Sequence, residues 1–205
     1  MPTHICKLCY KPISVRSIAT LLDGTLTVCD RCHEAFQPRF STFDLDGIPA
    51  LAIYDYDSWI KEQLYRFKGC GDYELKAMFL ERFRHYLRWR YRGYLVVPLP
   101  SWHEHDEARG FNHVEAMFSG LKLPIMKVLK KLRAHKQADL SYEERQRIRG
   151  VFGWQGGQEL KGRKVLLVDD VMTSGASLRA AVELLEKAGP KTIRILLMAR
   201  TRLNK

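Results

Sequence analysis

Residues 164–178 read KVLLVDDVMTSGASL. Residues 165–168 are a continuous run of β-branched and leucine side chains, the pattern of a short strand buried on both faces. Two adjacent carboxylates, Asp169 and Asp170, close it, and residues 171–177 form a small, hydroxyl-rich loop. Leu178, Ala181, Val182 and Leu185 then recur at helical spacing up to Gly189-Pro190, a stop signal. Residues 192–198 resume as a second apolar strand. Strand, loop, helix and strand make a βαβ unit, which predicts an α/β protein on a parallel sheet with helices on both faces.

The loop has the chemistry of a phosphate cradle. Thr173, Ser174 and Ser177 offer hydroxyls, Gly175 lets backbone N–H groups come close, and the helix start adds favourable partial charge. Asp169 and Asp170 would repel a phosphate, so they must face something else, and vicinal sugar hydroxyls or a magnesium ion fit them. A plain βα turn with an Asp near the helix cap is the competing account. Residues 165–177 resemble the thirteen-residue signature of the type I phosphoribosyltransferases over its whole length. That resemblance implies Asp169, Asp170, Thr173, Ser174, Gly175 and Ser177 as phosphoribosyl-binding residues, with magnesium accompanying the diphosphate.

Upstream, residues 94–97 read as an earlier buried strand closed by Pro98-Leu99-Pro100. Arg109-Gly110-Phe111-Asn112 follows, at the start of an expected helix. The resembled family holds diphosphate in the loop after its first strand, which implies Arg109 as a diphosphate residue. Lys136 and Arg145 are further candidates, from the cationic stretch 127–149. Such a run is ordinarily a solvated face. Here it is also placed to act as a lid over the diphosphate.

Four of the five cysteines form two pairs, Cys6-Lys-Leu-Cys9 and Cys29-Asp-Arg-Cys32. The C-x2-C-x19-C-x2-C spacing is that of a structural zinc site, in which two tight turns each grip one side of a tetrahedral ion. Residues 17–22, the Asp23-Gly24 turn and residues 25–28 supply a hairpin between the pairs. So small a unit cannot build its own core, so the ion supplies folding energy. Disulfides need an oxidising compartment, and no leader is visible at the N-terminus. Cys29-x-x-Cys32-His33 also spells a haem-attachment motif, which would leave Cys6 and Cys9 unexplained.

Residues 74–94 predict one helix, with Leu75, Phe79, Phe83, Leu87 and Tyr91 along a single face. Arg84, Arg88 and Arg92 form a neighbouring stripe, and Trp89 lies among them. Cations interleaved with rings suit single-stranded nucleic acid. A core face backed by solubilising arginines is the plainer account.

The chain has 205 residues, 46% of them hydrophobic, and 34 Lys+Arg against 23 Asp+Glu give a formal charge of +11. That excludes wholesale disorder, and the imbalance favours polyanionic partners. No apolar run approaches the ~20 residues of a membrane span, and a cytoplasmic protein is expected. In the order knuckle, KGCGDYEL, VVPLP, RGFN, KQADLSYEER and LLVDDVMTSGAS, the chain resembles ComF-type competence proteins over nearly its whole length. It departs from their pattern at His103, His105 and Asp106 after the prolines, at Asn112-His113 where Asn-Gln is common, and at Ile148. The resemblance implies a zinc finger over 1–40 and a phosphoribosyltransferase-like domain over 41–205. It also implies a role in DNA uptake during natural transformation, with single-stranded DNA, phosphoribosyl diphosphate and a ComFA-type helicase as partners. A phosphoribosyltransferase of nucleobase salvage and a ligand-sensing regulator are the other classes, although no stretch reads as a base-recognition hood. Metal analysis of freshly purified protein should find about one zinc per chain, as expected of a closed four-thiolate site; a tenth of that would overturn the assignment.

Overall fold

The computed structural model describes residues 5–13, 26–132, 151–155 and 160–202. Five strands build its main sheet: β1 (Ser41–Leu45), β2 (Ile48–Asp55), β3 (Tyr94–Pro98), β6 (Lys164–Met172) and β7 (Thr192–Arg200). Their order is β1-β2-β7-β6-β3. β2, β7, β6 and β3 run parallel, with Leu167 opposite both Val97 and Ile195, and β1 pairs antiparallel at the edge. A two-stranded ribbon of β4 (Leu129–Lys131) and β5 (Phe152–Trp154) stands apart.

Successive residues of the inner strands point to opposite faces, and each face carries its own core. Val165, Leu167, Ile195 and Leu197 pack against Leu178, Ala181, Val182 and Leu185 of the helix Ala176–Lys187. Leu166, Val168, Leu196 and Met198 belong to the other core, with Ile60, Phe67, Leu87 and Met117 from the preceding segments. Helices on both faces of a mostly parallel sheet are the predicted α/β architecture.

Two local expectations change. β6 runs on through both aspartates to Met172, because its pairing with β7 continues to Arg200. The long helix expected over 74–94 is instead two 3₁₀ turns, Tyr73–Ala77 and Glu81–Phe83, and the short α-helix Arg84–Arg90. Leu75, Phe79, Leu87 and Tyr91 are buried as their spacing implied, but Met78 and Leu80 are buried as well. One α-helical stripe cannot bury three consecutive residues and stay amphipathic, and the tighter turns turn all three inward.

Of the hairpin expected between the cysteine pairs, positions 17–25 lie outside the described residues. The flanking knuckle shares the second core: Cys6, Val28 and Phe36 pack with Tyr54 and Phe79. The Phe36 ring lies 5.8 Å from those of Tyr54 and Phe79 and 6.0 Å from that of Trp59. Glu81, itself buried, accepts the backbone N–H groups of Thr27 (2.7 Å) and Val28 (3.2 Å), just before Cys29. Burial raises the Glu81 carboxyl despite those two donors and Arg82, and Arg82 in turn pairs with Asp30. Glu81→Leu would strand both amides at about 1–3 kcal/mol each. It should lower the melting temperature and speed metal loss to a chelator, whereas Glu81→Gln, which keeps an acceptor, should do less of both.

Candidate functional site

The site lies at the carboxyl end of β6. Strand alternation starts the two aspartates on opposite faces, yet their carboxyls remain close enough to interact at the strand end. Asp169 falls on the face of Val165 and Leu167, half-buried, and its Oδ1 accepts the N–H of Asp170 at 2.9 Å. Asp170 falls on the face of Leu166 and Val168, with 9% of its side chain exposed.

Beyond Met172 the chain turns through Thr173 and Ser174 to Gly175, which precedes the helix Ala176–Lys187. Gly175 has φ +77°, and a Cβ there would meet Leu45 Cδ1 at 3.3 Å and Arg179 Nη1 at 3.2 Å, so both conformation and space require glycine. Thr173, Ser174 and Ser177 are exposed around this turn. Arg179 braces it, donating to the Ser174 carbonyl at 2.8 Å and to Asp46 of the β1–β2 turn at 2.6 Å. The six residues expected to bind a phosphoribosyl group are thus gathered at one strand end.

Asp170 is held by residues the sequence did not single out as ligands. Its Oδ2 accepts from Lys68 Nζ at 2.6 Å and pairs with His113 Nε2 at 3.0 Å, and its Oδ1 accepts the Val171 N–H at 2.6 Å. Burial opposes its ionisation, yet His113 and Lys68 outweigh that and hold the carboxyl well below the usual carboxylate range. Asp169 goes the other way: burial first, then the neighbouring Asp170 charge, raise it well above the ordinary value.

Arg109 ends the helix His103–Arg109, and Gly110, in the left-handed region at φ +81°, terminates it. The guanidinium points inward. Nε donates to the Lys68 carbonyl at 2.7 Å, and Nη1 meets Asp106 Oδ1 at 3.2 Å and His113 Nδ1 at 3.1 Å. A donor on Nδ1 leaves the Nε2 proton for Asp170, which sets the His113 tautomer. The helix expected to begin near Arg109 begins at His113, capped by Asn112, whose Oδ1 accepts the Glu115 N–H at 2.8 Å. Asp106 also accepts from Asn112 Nδ2 (2.8 Å) and from the Ser101 hydroxyl, so this departure from the family pattern anchors the post-proline loop. Lys136 and Arg145 lie outside the described residues. A cavity of about 410 Å³ opens beside the end of β3, where Ser101 and Asn112 face Lys127, Lys130 and Lys131.

The sulfurs of Cys6, Cys9, Cys29 and Cys32 all lie within 4.8 Å of one another, with Cys9 and Cys29 Sγ 3.7 Å apart. Four thiols at that separation fit one tetrahedral metal ion. Burial opposes ionisation of Cys6, but N–H groups of Cys29, Cys9 and Leu8 bring its thiol down to about 7, whereas burial and the neighbouring thiols raise Cys29 and Cys32. His33 is no part of the set. Its ring packs 5.8 Å from Phe36 and 5.7 Å from Phe83, and burial lowers its pKa to about 4.

On the helix Arg84–Arg90, Trp89 is 66% exposed and Arg88 is exposed, while Arg84 is half-buried. Arg92 is exposed but lies past the helix end, so the expected stripe is broken after Arg88.

A raised carboxyl means that the folded chain binds the Asp169 proton more tightly than the unfolded chain does. Its contribution to stability is therefore fully present below the ordinary value of 3.8 and lost as pH rises. Asp169→Asn should raise the melting temperature at pH 7, and the gain should vanish below about pH 4. Thermal unfolding across that range checks both the sign and the window.

A family model, the phosphoribosyl transferase domain, matches residues 107–203. Competence protein ComFC of Streptococcus pneumoniae is 28% identical over 75% of this chain and 69% of its own length. Competence protein F of Haemophilus influenzae is 29% identical over 51% of this chain, about half of its own length (49%). Among solved structures, a purine phosphoribosyltransferase from Pyrococcus horikoshii is 19% identical, with a TM-score of 0.37 over 62% of this chain and 75% of that one. Cysteine knuckle, cradle and sequence relatives agree: the chain carries a phosphoribosyl transferase domain over 107–203 and is similar to the ComF-type competence proteins over three quarters of its length.

Proposed function

We propose that this protein acts in the cytoplasm during natural transformation, binding incoming single-stranded DNA and, in the pocket at the end of β6, phosphoribosyl diphosphate. The observation that carries this reading is the cradle itself. A left-handed glycine, three exposed hydroxyls and an N-terminal helix turn face solvent beside a carboxylate pair. The 5′-phosphate would sit on the Thr173–Ser177 turn, where N–H groups and hydroxyls favour an anion, and the ribose diol on the acid pair. Magnesium would arrive with the diphosphate and shield its charge.

Arg109 serves this site as a brace, since its guanidinium is committed to Lys68, Asp106 and His113. Lys136 and Arg145 remain the diphosphate candidates that the sequence names. Zinc in the four-thiolate knuckle would be structural. The names of the sequence relatives support the competence role, and a ComFA-type helicase would be the partner that hands over DNA.

For nucleic acid, Trp89 and Tyr86 stand exposed among Arg84, Arg88, Arg90 and Arg92, and the Arg90 guanidinium lies 6.0 Å from the Tyr86 ring. Rings for stacking and cations for phosphate suit a single strand of any sequence.

Two measurements test the reading. Calorimetry with magnesium present should show phosphoribosyl diphosphate binding that Asp169→Ala with Asp170→Ala abolishes; an unchanged affinity removes the ligand. Single-strand binding should weaken with salt at a log–log slope of about −0.7 per phosphate contacted. Changing Arg84, Arg88 and Arg92 to Gln should flatten that slope by roughly two units, and identical slopes would make this helix a solvated face.

A further inference from the structure

Lys68 lies on the π-type turn Tyr65–Gly69, outside the residues matched by the phosphoribosyl transferase model. Its ammonium is nonetheless 2.6 Å from Asp170, 102 residues away in sequence. The side chain is 37% exposed and that of Asp170 only 9%, so Lys68 covers the acid from the solvent side. The other partner, His113, is buried and held from behind by Arg109. Of the two, only the lysine, on a flexible four-carbon stem, can leave without unmaking the core.

The faces of the sheet fix what it would leave for. The helix that forms the cradle packs on the face of Val165 and Leu167, and Lys68, His113 and Asp170 lie on the other. In a ribose phosphate, C5 and the anomeric carbon are at opposite ends of the ring. With the 5-phosphate in the cradle and the ribose diol at Asp170, as the phosphoribosyl reading has it, the ring crosses the strand terminus and its anomeric end comes to the Lys68 side. Asp170 already accepts from Lys68, His113 and the Val171 N–H, and Lys68 is the partner on its solvent side, so a sugar hydroxyl that approaches this carboxylate from solvent meets the lysine first and takes its place. A displaced ammonium needs a new anion, because separating a largely buried pair is unfavourable.

We propose that Lys68 is a specificity residue of the phosphoribosyl site: it neutralises Asp170 in the empty pocket and passes to the anomeric diphosphate when the ribose diol takes Asp170. The proposal rests on the phosphoribosyl reading above. It makes the pocket select for a diphosphate at the anomeric carbon, since a ligand without one must displace Lys68 with nothing to receive it.

The test compares phosphoribosyl diphosphate with ribose 5-phosphate, by calorimetry on the full chain with magnesium. Both carry the 5-phosphate, and only the first carries the diphosphate. In wild type the diphosphate should bind more tightly. Lys68→Gln, whose amide still donates to Asp170, should weaken the diphosphate and tighten ribose 5-phosphate, so that the ratio of affinities falls at least tenfold. Lys68→Met, similar in length and uncharged, should do the same, and Lys68→Arg should restore the wild-type preference. An equal change for both ligands, or none, overturns the exchange while leaving the phosphoribosyl reading in place. A wild-type chain that binds neither ligand overturns both.

Discussion

A carboxylate as deeply buried as Asp170 persists only if its partners come with it, and those partners bind the rest of the molecule together. Lys68, His113 and Arg109 close a circuit in which Arg109 holds both the backbone of Lys68 and the ring of His113. Four separate pieces of chain meet there: the turn after the helix Ser58–Leu64, the end of one helix, the start of the next, and β6. Removing one partner would leave a largely buried charge only partly compensated, a loss that reaches about 3–5 kcal/mol where a pair is fully buried. The position of the acid pair is thus set by distant contacts as much as by β6.

The sheet gives the circuit its direction. With β6 between β3 and β7, both faces of its carboxyl end are walled by packed side chains, and the open edge lies beyond Met172. Open α/β sheets bind ligands outside the carboxyl ends of their strands for this reason. Here one face supplies an anion cradle, and the other supplies a masked acid beside a cation. The ligand proposed above, with charge at both ends of a sugar ring, matches such a divided edge.

Much of this was legible because the signals are local. The apolar run, the paired acids and the glycine-led turn occur within fifteen residues, and the cysteine pairs give their own spacing, so cradle and thiol cluster both lie where they were expected. Lys68 and His113 were not legible as site residues, because their meaning depends on partners 102 and 57 residues away. The Asn112-His113 departure and the KGCGDYEL stretch that Lys68 opens were the clues, and they marked the positions without their roles. Residues 74–94 show a subtler limit. The four-residue period picked out buried side chains, but Met78 and Leu80 are buried alongside them where the chain runs in tighter turns, and the α-helix that follows ends at Arg90, short of Arg92.

Phe36 carries a consequence for how this chain could have been assembled. It stands on the cysteine side of the boundary that sequence pattern draws near residue 40, yet its ring fills the space between Tyr54, Trp59 and Phe79. Glu81 reaches back across the same line to the amides before Cys29. A phosphoribosyltransferase-like unit inherited without its knuckle would open a hole in one of its two cores and leave a buried carboxylate without donors. The two parts are therefore expected to travel through evolution as a single heritable piece, and swapping knuckles between relatives would demand matched changes at Tyr54, Phe79 and Glu81.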